Sequence, residues 1–431
     1  MIRKKLLVIA PYPIASPRHG GQKRTKALVD NYRSFVRDVK FVAIFHKASY
    51  AEFDPDDIPL GQIENLELID KKPYAMDQII GKAIDNDTHV RSQFAKVLQE
   101  YRPDIIHVEQ SFLYDGLSTL LNELNIHPYL IFGSQNIEYK MKAAIYDGQA
   151  IPEKEKKELV AQTREIEERF SKEASLVVAV SDGDGKALKE MGAKKVVIAP
   201  NGIERIQPTK EALAYWSSFK RTQGIRHMIG FIGSGHPPNY TGFIDTVGLD
   251  TTFLPKGAKI VMAGGVSEYF KATYNYKNTK KHASLWSGVV PVGFLDEDML
   301  TGFIASCDVI LLPITSGGGS NLKTAEALLS GKKIVATDYA FRGFEAYLKL
   351  PNIRRANEKL EFQEALQEAL RTGYIEPTAK DVALARRVGW TYCLKGLKGA
   401  VRRGILPTAK DLAKLSRSYA GKAVRKVKRL L

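Results

Sequence analysis

Short apolar runs alternate with longer amphipathic stretches along the whole chain. In the first half the runs are LLVIA (6–10), KFVAIF (40–45), LELI (66–69), IIHV (105–108), YLIF (129–132), LVVAV (176–180) and VVIA (196–199). Near-continuous apolar runs of this length predict strands buried on both faces, as in a parallel sheet. The stretches between them, such as 89–101 and 153–173, show helical spacing, so the pattern predicts successive right-handed βαβ units. It then restarts: MIGFIG (228–233), KIVMAG (259–264), VVPVG (289–293), VILLP (309–313) and KIVAT (333–337) predict the strands of a second sheet. A helical connector over 210–223, after PNGIERIQPT, marks the domain boundary. In open parallel sheets, ligands bind beyond the carboxyl ends of the strands, so the loops after strands are where chemistry is expected.

With 431 residues, 44% of them hydrophobic, the chain is long enough for two domains with full cores. Its two cysteines, Cys307 and Cys393, are far apart and have no Cys or His close by in sequence. That argues against a disulfide framework or structural zinc and fits a reducing compartment. The N-terminus has a basic start, but the run 6–10 is too short for a signal core, and we read it as the first buried strand. No stretch approaches the ~18 apolar residues of a membrane span. The charge of +16 implies anionic partners.

Several loops carry groups suited to such partners. After the first run, Gly20-Gly21 opens a helix beside Arg18, His19, Lys23 and Arg24. Bare N–H groups at a helix start, with cations around them, suit a phosphate; a solvated basic helix end is the plain alternative. His107 and Glu109 stand at one strand end and Asn136 and Glu138 after the next, where they can face a cleft or serve as turn formers and caps. Gly233 and Gly235, with Ser234 between them, allow close backbone approach, while Asn239 or Thr241 can cap the following helix. No full dinucleotide fingerprint is present.

The stretch TSGGGSNLKTAEALLSGKKIVAT (315–337) is the most informative. It predicts a helix over 322–330, capped by Ser320 or Asn321 and stopped by Gly331. Gly317, Gly318 and Gly319 precede it, so their N–H groups can point at an anion. Lys323 in the first turn opposes the helix dipole, which makes sense if a diphosphate sits there. Glu326, one turn on, can accept hydrogen bonds from a ribose diol; a tight turn with a solvated Lys–Glu pair is the plain alternative. The pairs Asp85/Asp87, Asp182/Asp184 and Asp296/Asp298 invite a metal reading, but the last two look like helix caps and first-turn acids.

Taken in order, Gly-Gly after the first strand, VSDGDGKAL…PNGIE, FIGSGHPPN, VGFLDE and GGGSNLKTAEALLSGKKIVAT, the chain resembles glycosyltransferase family 4 over roughly 5–395. The resemblance implies a GT-B fold: two Rossmann-like α/β domains facing a cleft, a C-terminal crossover helix and, in this chain, a basic helical tail. The first domain would be 1–208, completed by a crossover helix over 376–404 with Trp390 as its anchor, and the donor domain 209–375. By position, Glu326 matches the glutamate that binds the ribose and Lys323 the lysine beside the donor diphosphate. Gly20 and Gly21 match glycines near the same phosphates. His107 matches a strand-end histidine near the donor sugar, and Asn136 and Glu138 an Asn-x-Glu whose role is open.

The chain departs from the pattern at Gly318, where a first glutamate is usual, at Gln135, often His, and near Ser234 and Asn239, where an Arg…Lys pair is usual. Lys323 is the candidate replacement for that charge. The resemblance implies a retaining, metal-independent hexosyltransferase needing no cofactor beyond a nucleoside diphosphate sugar as co-substrate. A non-catalytic scaffold and a nucleotide-sugar epimerase are the alternatives.

Residues 405–431 form a basic tail. On a helical wheel Leu412, Leu415, Tyr419, Ala423, Val427 and Leu430 share one face, and Lys410, Lys414, Arg417, Arg425 and Lys428 the other. Such a helix suits anionic lipid, or packs on protein. The resulting expectation is a cytoplasmic enzyme at the inner membrane face, acting on a glycan or glycolipid acceptor in polysaccharide biosynthesis, with no nucleic-acid partner.

Overall fold

The computed structural model describes residues 1–405, apart from 148, 205–206, 318–321 and 374–375. Two compact units result. The first is Met1–Ala199 together with the segment that starts at Leu394, and the second is Pro200–Cys393. Residues 200–208 and 376–393, which the sequence reading gave to the first domain, therefore lie with the second.

The first unit holds a seven-stranded parallel sheet in the order β3-β2-β1-β4-β5-β6-β7. Its strands are β1 (Ile2–Ala10), β2 (Val36–Phe45), β3 (Ile58–Pro59), β4 (Ile105–Glu109), β5 (Tyr129–Gly133), β6 (Leu176–Ala179) and β7 (Val196–Ile198). Leu7, Ile9, Val42, Ile44, Ile106, Val108 and Phe132 lie in one core cluster with helix residues such as Ile80, Phe94 and Phe170. The order reverses between β1 and β4, so the loops after those two strands flank the crevice where a ligand is expected.

The second unit holds six parallel strands in the order β10-β9-β8-β11-β12-β13. They are β8 (His227–Ile232), β9 (Ala258–Ala263), β10 (Val289–Gly293), β11 (Val309–Leu312), β12 (Lys333–Ala336) and β13 (Ile353–Arg355). Here the reversal lies between β8 and β11. The loop containing Ser234 and the glycine stretch after Thr315 leave those two neighbouring strands.

The helices Thr88–Tyr101, Glu153–Glu173, Lys210–Thr222 and Leu322–Ser330 fall where the apolar spacing predicts them. LELI (66–69) does not form a strand; it lies in the helix Ile63–Lys71. Asn65 and Ile69, four apart, are the buried positions, while Leu66 is half-buried and Glu67 and Leu68 are exposed; the period is helical and the apolar run only a local coincidence. The C-terminal crossover is also not one helix. It comprises the helix Ala379–Ala385, a 3-10 turn Arg386–Val388, a short helix Trp390–Cys393 and the helix Lys395–Ile405. Trp390 is half-buried, and Val388, Cys393, Leu394, Leu397 and Val401 are the buried residues there. Lys395–Ile405 packs beside β6 and β7 with Leu397, Ala400 and Val401 inward. Among the described residues no helix is long and apolar enough to cross a membrane. The tail 406–431, with its proposed lipid-binding face, lies outside the described residues.

Candidate functional site

In the first unit the loops at the sheet reversal enclose a buried polar network. His107 and Glu109 alternate with Ile106 and Val108, so both side chains leave the same face of β4. His107 Nε2 and Glu109 Oε1 are 2.7 Å apart, and His107 Nδ1 meets the Tyr32 hydroxyl at 2.7 Å. Glu109 Oε2 accepts from Gln135 Nε2 at 2.6 Å, and the Arg24 guanidinium lies 3.8 Å away as its ion-pair partner. Arg24 also donates to the Ala199 carbonyl at 2.8 Å, beyond the end of β7.

Gly133, opposite Glu109 on β5, provides the room: a Cβ there would lie 2.1 Å from Glu109 Oε1 and 2.4 Å from His107 Nε2. Burial raises the Glu109 pKa, but His107, Arg24 and Gln135 more than offset it, and the carboxylate sits below its ordinary range. His107 and Glu109 have no exposed surface. This differs from the expectation of a cleft-facing histidine: both of its ring nitrogens are engaged, one by Tyr32 of the helix Gly20–Arg33 and the other by Glu109 of its own strand. Glu109 likewise is closed in rather than cleft-facing.

Gly20 and Gly21 do open a helix, Gly20–Arg33, but its cap is His19. The Gln22 N–H donates to His19 Nδ1 at 3.4 Å, while Gln22 Oε1 accepts from the His19 and Arg18 N–H groups. A Cβ on Gly21 would come within 2.8 Å of Gln135 Oε1 and 3.1 Å of the Tyr12 hydroxyl. Close side-chain approach thus demands glycine at this point.

Asn136 is half-buried at the start of the next loop, and Glu138 is fully buried in the first turn of helix Glu138–Asp147. Neither Glu138 oxygen has a partner of hydrogen-bonding geometry. Its pKa is pushed up to about 8, first by burial and then by Glu167 and Asp77, with Lys142 and the Asn136 side chain opposing. Glu167, which accepts from the Glu138 and Tyr139 N–H groups at 2.8 and 2.9 Å, is itself raised to about 7, chiefly by burial.

An acid whose folded pKa lies above its unfolded one costs stability as pH rises from the unfolded toward the folded value. Glu138→Gln is therefore expected to raise thermal stability by about 2 kcal/mol at about pH 8.5 and by little at about pH 5. Equal gains at both pH values in a melting series would show that Glu138 is not the group responsible.

In the second unit the two loops at the reversal meet. The helix after β8 is Pro237–Thr246, with His236 as N-cap and two prolines opening it. Asn239 therefore falls inside the first turn and is not the cap, and Thr241 lies deeper still. The Asn239 side chain turns back to Ser234, donating to its carbonyl at 3.0 Å and its hydroxyl at 2.9 Å. Lys323, in the first turn of Leu322–Ser330, donates to Asn239 Oδ1 at 2.5 Å. A cation thus stands at the loop after β8 although the local sequence supplies none. Burial lowers its pKa to about 8, opposed by Glu326.

Gly233 has a close-approach role, since a Cβ there would lie 2.8 Å from Val266. Gly317 has φ of 114°, a left-handed value suited to glycine. Its carbonyl accepts from Arg342 at 2.5 Å and from the Tyr339 hydroxyl, and Arg342 stacks over the Tyr339 ring at 4.6 Å. Sequence reasoning missed Arg342 and Tyr339, as nothing local marks them. Gly318, Gly319, Ser320 and Asn321 lie outside the described residues. Glu326 is half-buried one turn beyond Lys323.

No family model matches the sequence, and no curated protein does. Solved structures do match in shape. HepE of Anabaena, in complex with UDP, aligns at TM-score 0.60 and 12% identity over 93% of this chain and 100% of its own. Sucrose-phosphate synthase of Thermosynechococcus elongatus aligns at 0.58 and 14%, over 98% and 100%. The lipopolysaccharide outer core galactosyltransferase WaaB, in its apo form, aligns at 0.55 and 12%, over 93% and 100%. The fold is GT-B. Within this GT-B chain the Ser234–Asn239–Lys323 constellation occupies the reversal point of the second sheet, and the His107–Glu109–Arg24 network that of the first.

In the acid pairs of the GT-B chain, Asp87 caps one helix, accepting from the N–H groups of Gly61, Gln62, His89 and Val90, and Asp296 caps Glu297–Ser306. Asp182 and Asp184 lie in the first turn of a helix capped by Ser181, Asp85 pairs with Arg91, and Asp298 accepts from Thr209.

Proposed function

We propose that this chain transfers a glycosyl group from a nucleoside diphosphate sugar to an acceptor hydroxyl, with retention at the anomeric carbon, without a metal ion and without a further cofactor. The observation that carries the reading is the Lys323 ammonium set on Asn239, between the two loops at the sheet reversal. In the reaction the C1–O bond to the diphosphate breaks and its electron pair leaves with the phosphate. The acceptor oxygen bonds to C1, and its proton goes to the departing phosphate. Negative charge builds on the diphosphate, and a fixed, half-buried cation stabilises it most where it develops. Glu326, one turn on, would take the ribose diol. Support also comes from matched structures solved with UDP and with UDP-glucose.

The acceptor is proposed to be a glycan or glycolipid at an anionic membrane face. Lys395–Ile405 presents Lys395, Lys398, Arg402 and Arg403 outward from its packed face, and the basic tail follows directly. A thermal-shift panel of UDP, GDP, ADP, dTDP and their sugars tests the reading. Stabilisation by one nucleotide family, unchanged by chelator, is expected; no shift with any of them would sink it.

A further inference from the structure

We propose that the segment between helix Gly265–Thr273 and β10 is a surface that docks on anionic lipid, independently of the C-terminal tail. From 269 to 295 the chain has no Asp or Glu, while Lys277, Lys280 and Lys281 fall within seven residues of 3-10 structure, Tyr276–His282. All three lysines are exposed, and none is in an ion pair with any described carboxylate. The remaining lysine, Lys271, is paired with Glu268.

Lysines alone would fit any polyanion; the aromatic residues among them narrow the choice to a bilayer. Tyr276 is 39% exposed and stands edge-on to Trp286, ring centroids 4.8 Å apart. Trp286 is fixed by its indole N–H to the Tyr274 carbonyl at 3.0 Å, and Tyr274 packs edge-on to His282. An aromatic ring with an apolar body and a wet tip, in one short segment with three exposed lysines, is the composition that settles at a headgroup boundary. Held on a folded framework, it loses little side-chain freedom on binding.

The topology places this surface away from the donor loops. Helix Gly265–Thr273 starts at the carboxyl end of β9 and runs back, so the segment lies at the amino end of the second sheet. Lys256 and Lys259 share that end. Of the acids there, Asp250 accepts from Thr252 and Asp308 from the Met228 N–H and Lys220, while Asp245, at the end of helix Pro237–Thr246, is exposed. Lipid can therefore be bound while the carboxyl-end loops of the same sheet remain open to a nucleotide.

The test uses the full-length protein and sedimentation with vesicles of phosphatidylcholine, with and without phosphatidylglycerol. The charge reversal K277E/K280E/K281E is expected to lower partitioning into anionic vesicles about 100-fold at low salt, with the melting temperature unchanged. Y276S is expected to lower it several-fold while leaving heparin binding as it was. Unchanged partitioning of the triple variant would overturn the proposal, because the tail would then carry all the affinity. So would a Y276S variant that partitions like the parent, because the patch would then be a simple polyanion site. A donor reading that failed would show instead as absent nucleotide shifts in parent and variants alike.

Discussion

Lys323→Ala is expected to lower kcat/KM for the nucleoside diphosphate sugar about 100- to 1,000-fold, the cost of removing one positioned group that stabilises developing charge. The same change is expected to raise the melting temperature of the ligand-free protein slightly. A half-buried ammonium in the first turn of a helix opposes the positive dipole end and is worth about −0.5 kcal/mol to the free fold. Opposite signs for stability and activity would separate a functional lysine from a structural one; parallel losses would refute the assignment. Its pKa of about 8 adds a pH signature. The cation is present below that value, so donor affinity should fall as pH rises through about 8, and the fall should vanish in the alanine variant. Titration of nucleotide affinity across that range reads both.

Arg24→Met is expected to be the most destabilising single change outside the apolar core, at about 3–5 kcal/mol, since it leaves Glu109 buried without its guanidinium. The pair R24M/E109Q should recover a good part of that loss, because no charge is then stranded. Glu109 has a depressed pKa in the folded protein. Its stabilising contribution is therefore present above the ordinary carboxylate range and lost as pH falls below it. Chemical denaturation at neutral and acid pH would register both effects, and an R24M variant as stable as the parent would exclude the ion pair as a structural element.

Much of this arrangement was legible in the chain. Buried strands such as β1 and β4 announce themselves because parallel sheets covered on both sides need unbroken apolar runs, and long helices because their apolar stripe repeats. β13 escaped notice because three residues, two of them arginine, leave no pattern. LELI misled because four residues are too few to tell an apolar run from one side of a helix.

The site was read less completely for a different reason. Gly-Gly, the loop after β8 and Lys323 each carry local chemistry, but the bond from Lys323 to Asn239 spans 84 residues and follows only from the order of the strands. His107 shows the converse. Its place at a strand end suggested exposure, yet the His-x-Glu spacing already put two polar groups on one face of an otherwise apolar strand. That spacing, with a glycine on the next strand, was the available signal for a buried pair.

The first unit is closed by residues that are synthesised after the second. Its sheet is made by Ala199, but the helix covering β6 and β7 begins only after the whole of 200–393 has been translated. On the ribosome the second unit can complete its fold as a continuous piece, while the first must wait with Val197 and its neighbours uncovered. The order of maturation is then the reverse of the order of translation. A nascent chain stalled before Leu394 would carry a finished second unit and an unfinished first one, the form that chaperones would be called on to hold.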